Sequence, residues 1–123
     1  MRYLFVLGLL AFSVGCLGQE NNSYTSGMDL LKYCQTSMKS IDDATIQMSE
    51  IENFHDGLCR GIVLGIFNVS PKVCSSEKNT VGQAIRVVLK FLQDHPEKLH
   101  LRATDLAEQA MAQAFPCHVK HSP

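Results

Sequence analysis

Residues 94–117, DHPEKLHLRATDLAEQAMAQAFPC, decide how this chain folds. Pro96 suits a first helical turn, because its missing N–H would be unpaired there anyway and its φ is already helical; Glu97 suits the positive end of the helix dipole. The stretch predicts a helix that begins at His95–Pro96. Leu99, Ala103, Leu106, Ala107, Ala110, Met111 and Ala114 recur at three- and four-residue spacing, while Lys98, Arg102, Asp105, Glu108 and Gln109 fall on the other face. Such a helix lays one side on a core. Phe115 continues the stripe, Pro116 stops the helix, and Cys117 stands where a disulfide would tie the chain end to the body.

Three more helices precede it. Met28 to Met38 carries Leu30, Leu31, Cys34 and Met38 on one face, and 39–48 reads as a loop. Ser49 and Glu52 form a capping box that opens a second helix reaching Phe67. From Leu58 to Phe67 that helix is apolar almost all round, with Arg60 its one charge, so it is expected to be the central, most buried element. Gly57, Gly61 and Gly65 lie on one strip, and each costs about 1 kcal/mol of helix propensity relative to alanine. The expected repayment is close packing against a neighbouring helix of the same chain, with a homodimer seam as the alternative. Glu50, Glu52, Asp56 and Arg60 rule out a membrane span. Asn68 to Asn79, NVSPKVCSSEKN, has loop composition. Thr80 and Gln83 cap a third helix, built on Val81, Ile85, Val88, Leu89 and Leu92 and ending near Gln93. The fold class is all-α, an up-down four-helix bundle.

Met1-Arg2 and the apolar run to Phe12 have the charged start and short hydrophobic centre of a secretory signal peptide, assigned to residues 1–18. Two cleavage readings remain open. Ser13-Val14-Gly15-Cys16 resembles a lipoprotein box that would lipidate Cys16, whereas Cys16-Leu17-Gly18 offers small residues to the ordinary signal peptidase. Residues 19–27, QENNSYTSG, read as a flexible tether, 28–117 as the helical domain and 118–123 as a tail. Cys34, Cys59, Cys74 and Cys117 remain in the domain, an even number in an exported chain, which implies two disulfides with three connectivities. The middles of helices one and two lie side by side in such a bundle, and the end of helix four lies near the start of helix three. Cys34–Cys59 and Cys74–Cys117 are therefore the preferred pairs.

Chemistry is harder to find. The four cysteines lack the short paired spacing of a zinc finger. His95 and His100, five apart, turn away from each other on a helix; His95 is expected as a cap and His100 at the edge of the bundle. His118 and His121 belong to the tail. Asp42, Asp43, Asp56 and Asp105 read as solvated carboxylates with nothing to set two of them across a cleft. No nucleophile elbow, phosphate loop or dinucleotide fingerprint is present. Without Arg2 the mature chain has ten Lys and Arg against twelve Asp and Glu, too balanced for a nucleic-acid or membrane surface. The residues themselves describe a small exported helical binding module, not an enzyme and without a cofactor.

A family resemblance sharpens this. Leu30-Leu31-Lys32-Tyr33-Cys34, Cys59-Arg60-Gly61 with Gly65, Cys74, Thr80-Val81-Gly82-Gln83, His95-Pro96-Glu97-Lys98-Leu99-His100 and Ala114-Phe115-Pro116-Cys117 together resemble the Rap/Tai immunity proteins, which protect Gram-negative bacteria against cell-wall amidases injected by type VI secretion. The chain departs from that pattern at Ile62, where an aromatic is usual, and at Ser75–Ser76, where a proline is usual. The resemblance implies a periplasmic homodimer that inhibits a peptidoglycan amidase effector. A protruding loop braced by a scaffold is the natural plug for a cleft, so Ser70, Pro71, Lys72, Ser75, Ser76, Glu77 and Lys78 are the candidate contact residues. The alternative is an envelope binding module of the same fold with another protein or a cell-wall partner.

Overall fold

The structure, a computed structural model, describes residues 24–74, 76 and 78–117. The expected signal peptide, Cys16, residues 19–23 of the tether, Ser75, Glu77 and the 118–123 tail lie outside the described residues. Four helices make an up-down bundle: α1 over Gly27–Asp42, α2 over Glu50–Val69, α3 over Val81–Asp94 and α4 over Ala103–Ala114. Reciprocal capping boxes start the first three, Ser26 with Asp29, Ser49 with Glu52 and Thr80 with Gln83. The last two were legible in the sequence. The first uses aspartate in place of glutamate and starts α1 one residue ahead of expectation.

α1 and α3 form the middle of the bundle, with α2 packed mainly on α1 and α4 mainly on α3. Leu30 and Cys34 of α1 meet Ala84, Ile85, Val88, Phe91 and Leu92 of α3. α4 adds Ala103, Leu106, Ala107, Ala110 and Met111, its alanines letting the helix lie close. The disulfides join Cys34 to Cys59 and Cys74 to Cys117, the preferred pairs, with Cα–Cα distances of 5.2 Å and 4.9 Å. α1 outruns its expected end by four residues, and Arg86 of α3 reaches back to Asp42 at 2.6 Å.

The His95–Pro96 helix start is corrected. His95 ends α3, Pro96–Lys98 is a single 3-10 turn, and the chain is extended at Arg102 (φ −64°, ψ 132°) before α4 begins at Ala103. Competition for carbonyls explains this. A helix through this segment would need the Leu99 and Leu101 carbonyls for its own amides at Ala103 and Asp105. Those carbonyls instead accept from Met28 and Gly27 at 2.9 Å and 2.8 Å, satisfying orphan donors of α1, while the Ala103 N–H donates to Thr25 at 2.8 Å. The same bonds hold Thr25 to Gly27, the end of the supposed tether, against the body.

The buried position expected for α2 is also corrected. Only Cys59, Val63 and Ile66 of its twenty residues are buried. Asp56 and Arg60 pair at 2.8 Å on the side facing α1, where Arg60 also reaches the Ser40 hydroxyl at 3.2 Å. Ile62 and Phe67 are partly covered, but Ile51, Phe54, Leu64 and Val69 stay exposed, because α2 packs mainly on α1 and only its buried stripe also meets α3 and α4.

Candidate functional site

Chain and side-chain bonds fix the α2–α3 loop at its base. Ser70 caps the end of α2 through its N–H to the Ile66 carbonyl, and its hydroxyl donates to Glu108 Oε1 at 2.7 Å. Lys72 donates to the other Glu108 oxygen at 2.7 Å, and its backbone N–H donates to Ser70 Oγ at 3.2 Å. The Lys72 ammonium and the Ser70 hydroxyl hold the Glu108 carboxyl below its ordinary range, and the same carboxylate raises Lys72. The next residue, Val73, is buried and bridges to Pro116, the Cys74 N–H donates to the Phe115 carbonyl at 3.0 Å, and Cys74 is bonded to Cys117. Four of the five residues from Ser70 to Cys74 are thus tied to α4 and the chain end.

Beyond Cys74 the chain turns outward. Ser76 and Lys78 are exposed, and the Asn79 N–H returns to the Ser76 carbonyl at 2.9 Å just before the Thr80 cap of α3. The candidate residues therefore separate into two groups. Ser70 and Lys72 meet through Glu108 at the base, beside exposed Pro71; Ser76 and Lys78 occupy the tip, and Ser75 and Glu77 lie outside the described residues. Glu108 itself was read only as part of a solvated face. Its spacing carries no other signal, and its role comes entirely from the approach of α4 to the loop. A depression of about 540 Å³, lined by Lys72, Asp105, Glu108, Gln109, Ala112 and Gln113, runs from this base along α4.

The expected close packing of Gly57, Gly61 and Gly65 within the chain is overturned. A Cβ built at any of the three meets nothing within 4 Å outside its own helix turn. The buried stripe of α2, Cys59–Val63–Ile66, lies on the other side, and between Gly61, Gly65 and Thr104–Asp105 of α4 there is an open groove rather than a contact. Gly27 is the glycine that close packing demands: a Cβ there would collide with Leu106 Cδ1 and stand 3.1 Å from the Leu99 Cα.

Among the described residues, His95 and His100 form no acid–base pair. His95 Nδ1 lies 2.8 Å from the Phe91 carbonyl and its ring stacks on Phe91 at 4.2 Å, so it caps the end of α3. His100 is exposed. Among the described residues no three His, Cys, Asp or Glu side chains gather as metal ligands, and no helix is long and apolar enough to cross a membrane. The arrangement is suited to binding, with a short outward tip set on a cross-linked base.

Comparison with known families gives one match. The model of the family described as Rap1a immunity proteins matches residues 26–117, from the Ser26 cap to the second disulfide. No curated protein and no solved structure matches the chain.

Proposed function

The chain belongs to the Rap1a immunity protein family, and on that premise we propose that it acts in the periplasm, where it binds and inhibits a peptidoglycan amidase delivered by type VI secretion. Export fits the signal-like residues 1–18 and the two disulfides, which persist in an oxidising compartment. Lipidation at Cys16 would hold the domain at the membrane that the effector must pass. The observation that carries the inhibitory reading is the loop, an exposed tip at Ser76 and Lys78 on a base fixed by Glu108, the Val73–Pro116 bridge and the Cys74–Cys117 disulfide.

Rigidity matters because a plug that is ordered beforehand loses little conformational entropy on entering a cleft. The protein contributes no chemical step in this reading. It blocks substrate access, and inhibition follows occupancy of the amidase cleft. A homodimer would present two such tips. The test is titration of the purified chain against the amidase encoded beside it, with the Lys78→Glu variant in parallel. Inhibition by the wild type that weakens at least about tenfold in the variant, a loss of 1.4 kcal/mol in binding, supports the reading. Undiminished amidase activity at saturating wild-type protein would reject the immunity target, and unchanged inhibition by the variant would move the contact away from the tip.

A further inference from the structure

We propose that the end of the bundle where the chain enters α1 is a membrane-docking face, which takes a phospholipid surface carrying anionic headgroups. The proposal rests on lipidation at Cys16 and names the surface that such an anchor brings to the bilayer. Backbone bonds build the face. Gly27 and Met28 donate to the Leu101 and Leu99 carbonyls, Ala103 donates to Thr25, and Ser26 bridges to Arg102. The segment before α1 and the turn before α4 therefore lie side by side, and their outward side chains form one surface.

Three of those side chains are large and apolar, Tyr24 at 47%, Met28 at 57% and Leu101 at 43% exposure. Cations surround them. The Arg102 guanidinium lies 5.7 Å from the centre of the Tyr24 ring and the Lys98 ammonium 5.4 Å from that of Phe91, and among the described residues neither has an ion-pair partner. His100 is exposed between them. Of the acids here, Glu97 is exposed, while Asp29 is turned back to the Ser26 amide and hydroxyl at 3.0 Å and 2.7 Å. The balanced total charge of the chain hides this end, because Asp42 and Asp43 at the close of α1 and Glu50 and Glu52 at the start of α2 stand at the other. An aromatic ring and two aliphatic tips beside a guanidinium and an ammonium suit the boundary of a bilayer, where the tips reach the acyl chains and the cations meet phosphates.

Chain length identifies the occupant. Tyr24 follows Cys16 by eight residues, a reach of at most about 29 Å when fully extended. A lipid on Cys16 holds this end nearest the bilayer, and a small face suffices once a short tether raises its effective concentration to about the millimolar range. The loop lies the other way. α4 leaves this end at Ala103 and rises about 18 Å over its twelve residues, and Cys117 beyond it holds Cys74 below the tip. Docking therefore points Ser76 and Lys78 away from the membrane.

The chain from Cys16 onward tests this, because Cys16 is its one cysteine outside the two disulfides and couples to maleimide lipid without cellular lipidation. On vesicles of phosphatidylethanolamine and phosphatidylglycerol, hydroxyl-radical footprinting should find Tyr24, Met28 and Leu101 at least about twofold less reactive than in the chain coupled to a soluble maleimide, with Phe54 unchanged. Leu101→Glu and Arg102→Glu should each remove the protection of Tyr24 and Met28 with unchanged helical circular dichroism, since both side chains are exposed. Equal reactivity in the two coupled forms, or protection that survives both variants, would overturn the face. Equal protection on phosphatidylcholine vesicles would overturn the role of anionic headgroups. Labelled palmitate that enters the wild type but not Cys16→Ser in cells supports the anchor; its absence from the wild type would overturn the anchor and the docking that depends on it, while amidase inhibition would stand.

Discussion

Two glycine-to-alanine substitutions in the same fold are expected to act in opposite directions. Gly61 lies mid-helix with open space where a Cβ would stand. Alanine there gains helix propensity of about 1 kcal/mol and meets no obstacle. For a domain of this size that gain corresponds to roughly 4–8 °C in melting temperature. Gly27 is buried at the first position of α1, and its added methyl would collide with Leu106 Cδ1 and press on the Leu99 backbone, 3.1 Å from both its Cα and its carbonyl oxygen. Leu106 can rotate, but the Leu99 backbone is fixed by its bond to the Met28 N–H. Overpacking of this kind costs about 1–3 kcal/mol. Thermal melts followed by circular dichroism, at a concentration low enough to keep the chain monomeric, measure both. A Gly61→Ala variant that loses 1 kcal/mol or more would show that another helix of the chain lies against the strip. Gly27→Ala without loss would refute the close approach of α1 to α4.

The remaining expectations concern the cross-links, acid and the loop. Removing Cys74–Cys117, which closes 43 residues, should cost about 4 kcal/mol by loop entropy, and removing Cys34–Cys59, which closes 25, about 3.5 kcal/mol; guanidinium unfolding of the paired alanine variants checks the order. Glu52 is held down to about 2 by the Lys39 ammonium and by the Ser49 amide and hydroxyl. Its folded value lies below the unfolded one, so its contribution is complete above about 4.5 and is lost as the pH falls toward 2. Urea unfolding at pH 6, 4 and 3 should therefore show a decline that is shallower in Glu52→Gln, and parallel declines would remove Glu52 from the explanation. Lys72→Glu sets a second carboxylate beside Glu108 and should loosen the loop base, read as faster amide exchange at Val73 and Cys74; Lys78→Glu, at the exposed tip, should leave that exchange unchanged.

Local signals in the sequence determined much of this protein. The Ser49 and Thr80 capping boxes and the apolar spacing of α3 placed α2 and α3 within a few residues, and the alanine stripe gave α4 its buried face and its end, because each rests on contacts three or four positions apart. Helix count and the dispersed cysteines were then enough to select the pairs Cys34–Cys59 and Cys74–Cys117. The long-range competitors left no such mark. Pro96 has the chemistry of a helix start, yet α4 begins seven residues later because α1 takes the Leu99 and Leu101 carbonyls. Glu108 looks like any solvated glutamate until α4 brings it against Ser70 and Lys72. The apolar circumference of α2 reads as a buried core helix, and only the way the bundle packs, with α2 laid mainly on α1, leaves its glycines, Phe54 and Leu64 outward. Periodicity tells a helix which residues belong on one face, but the neighbour that each face meets is decided by how the whole chain packs.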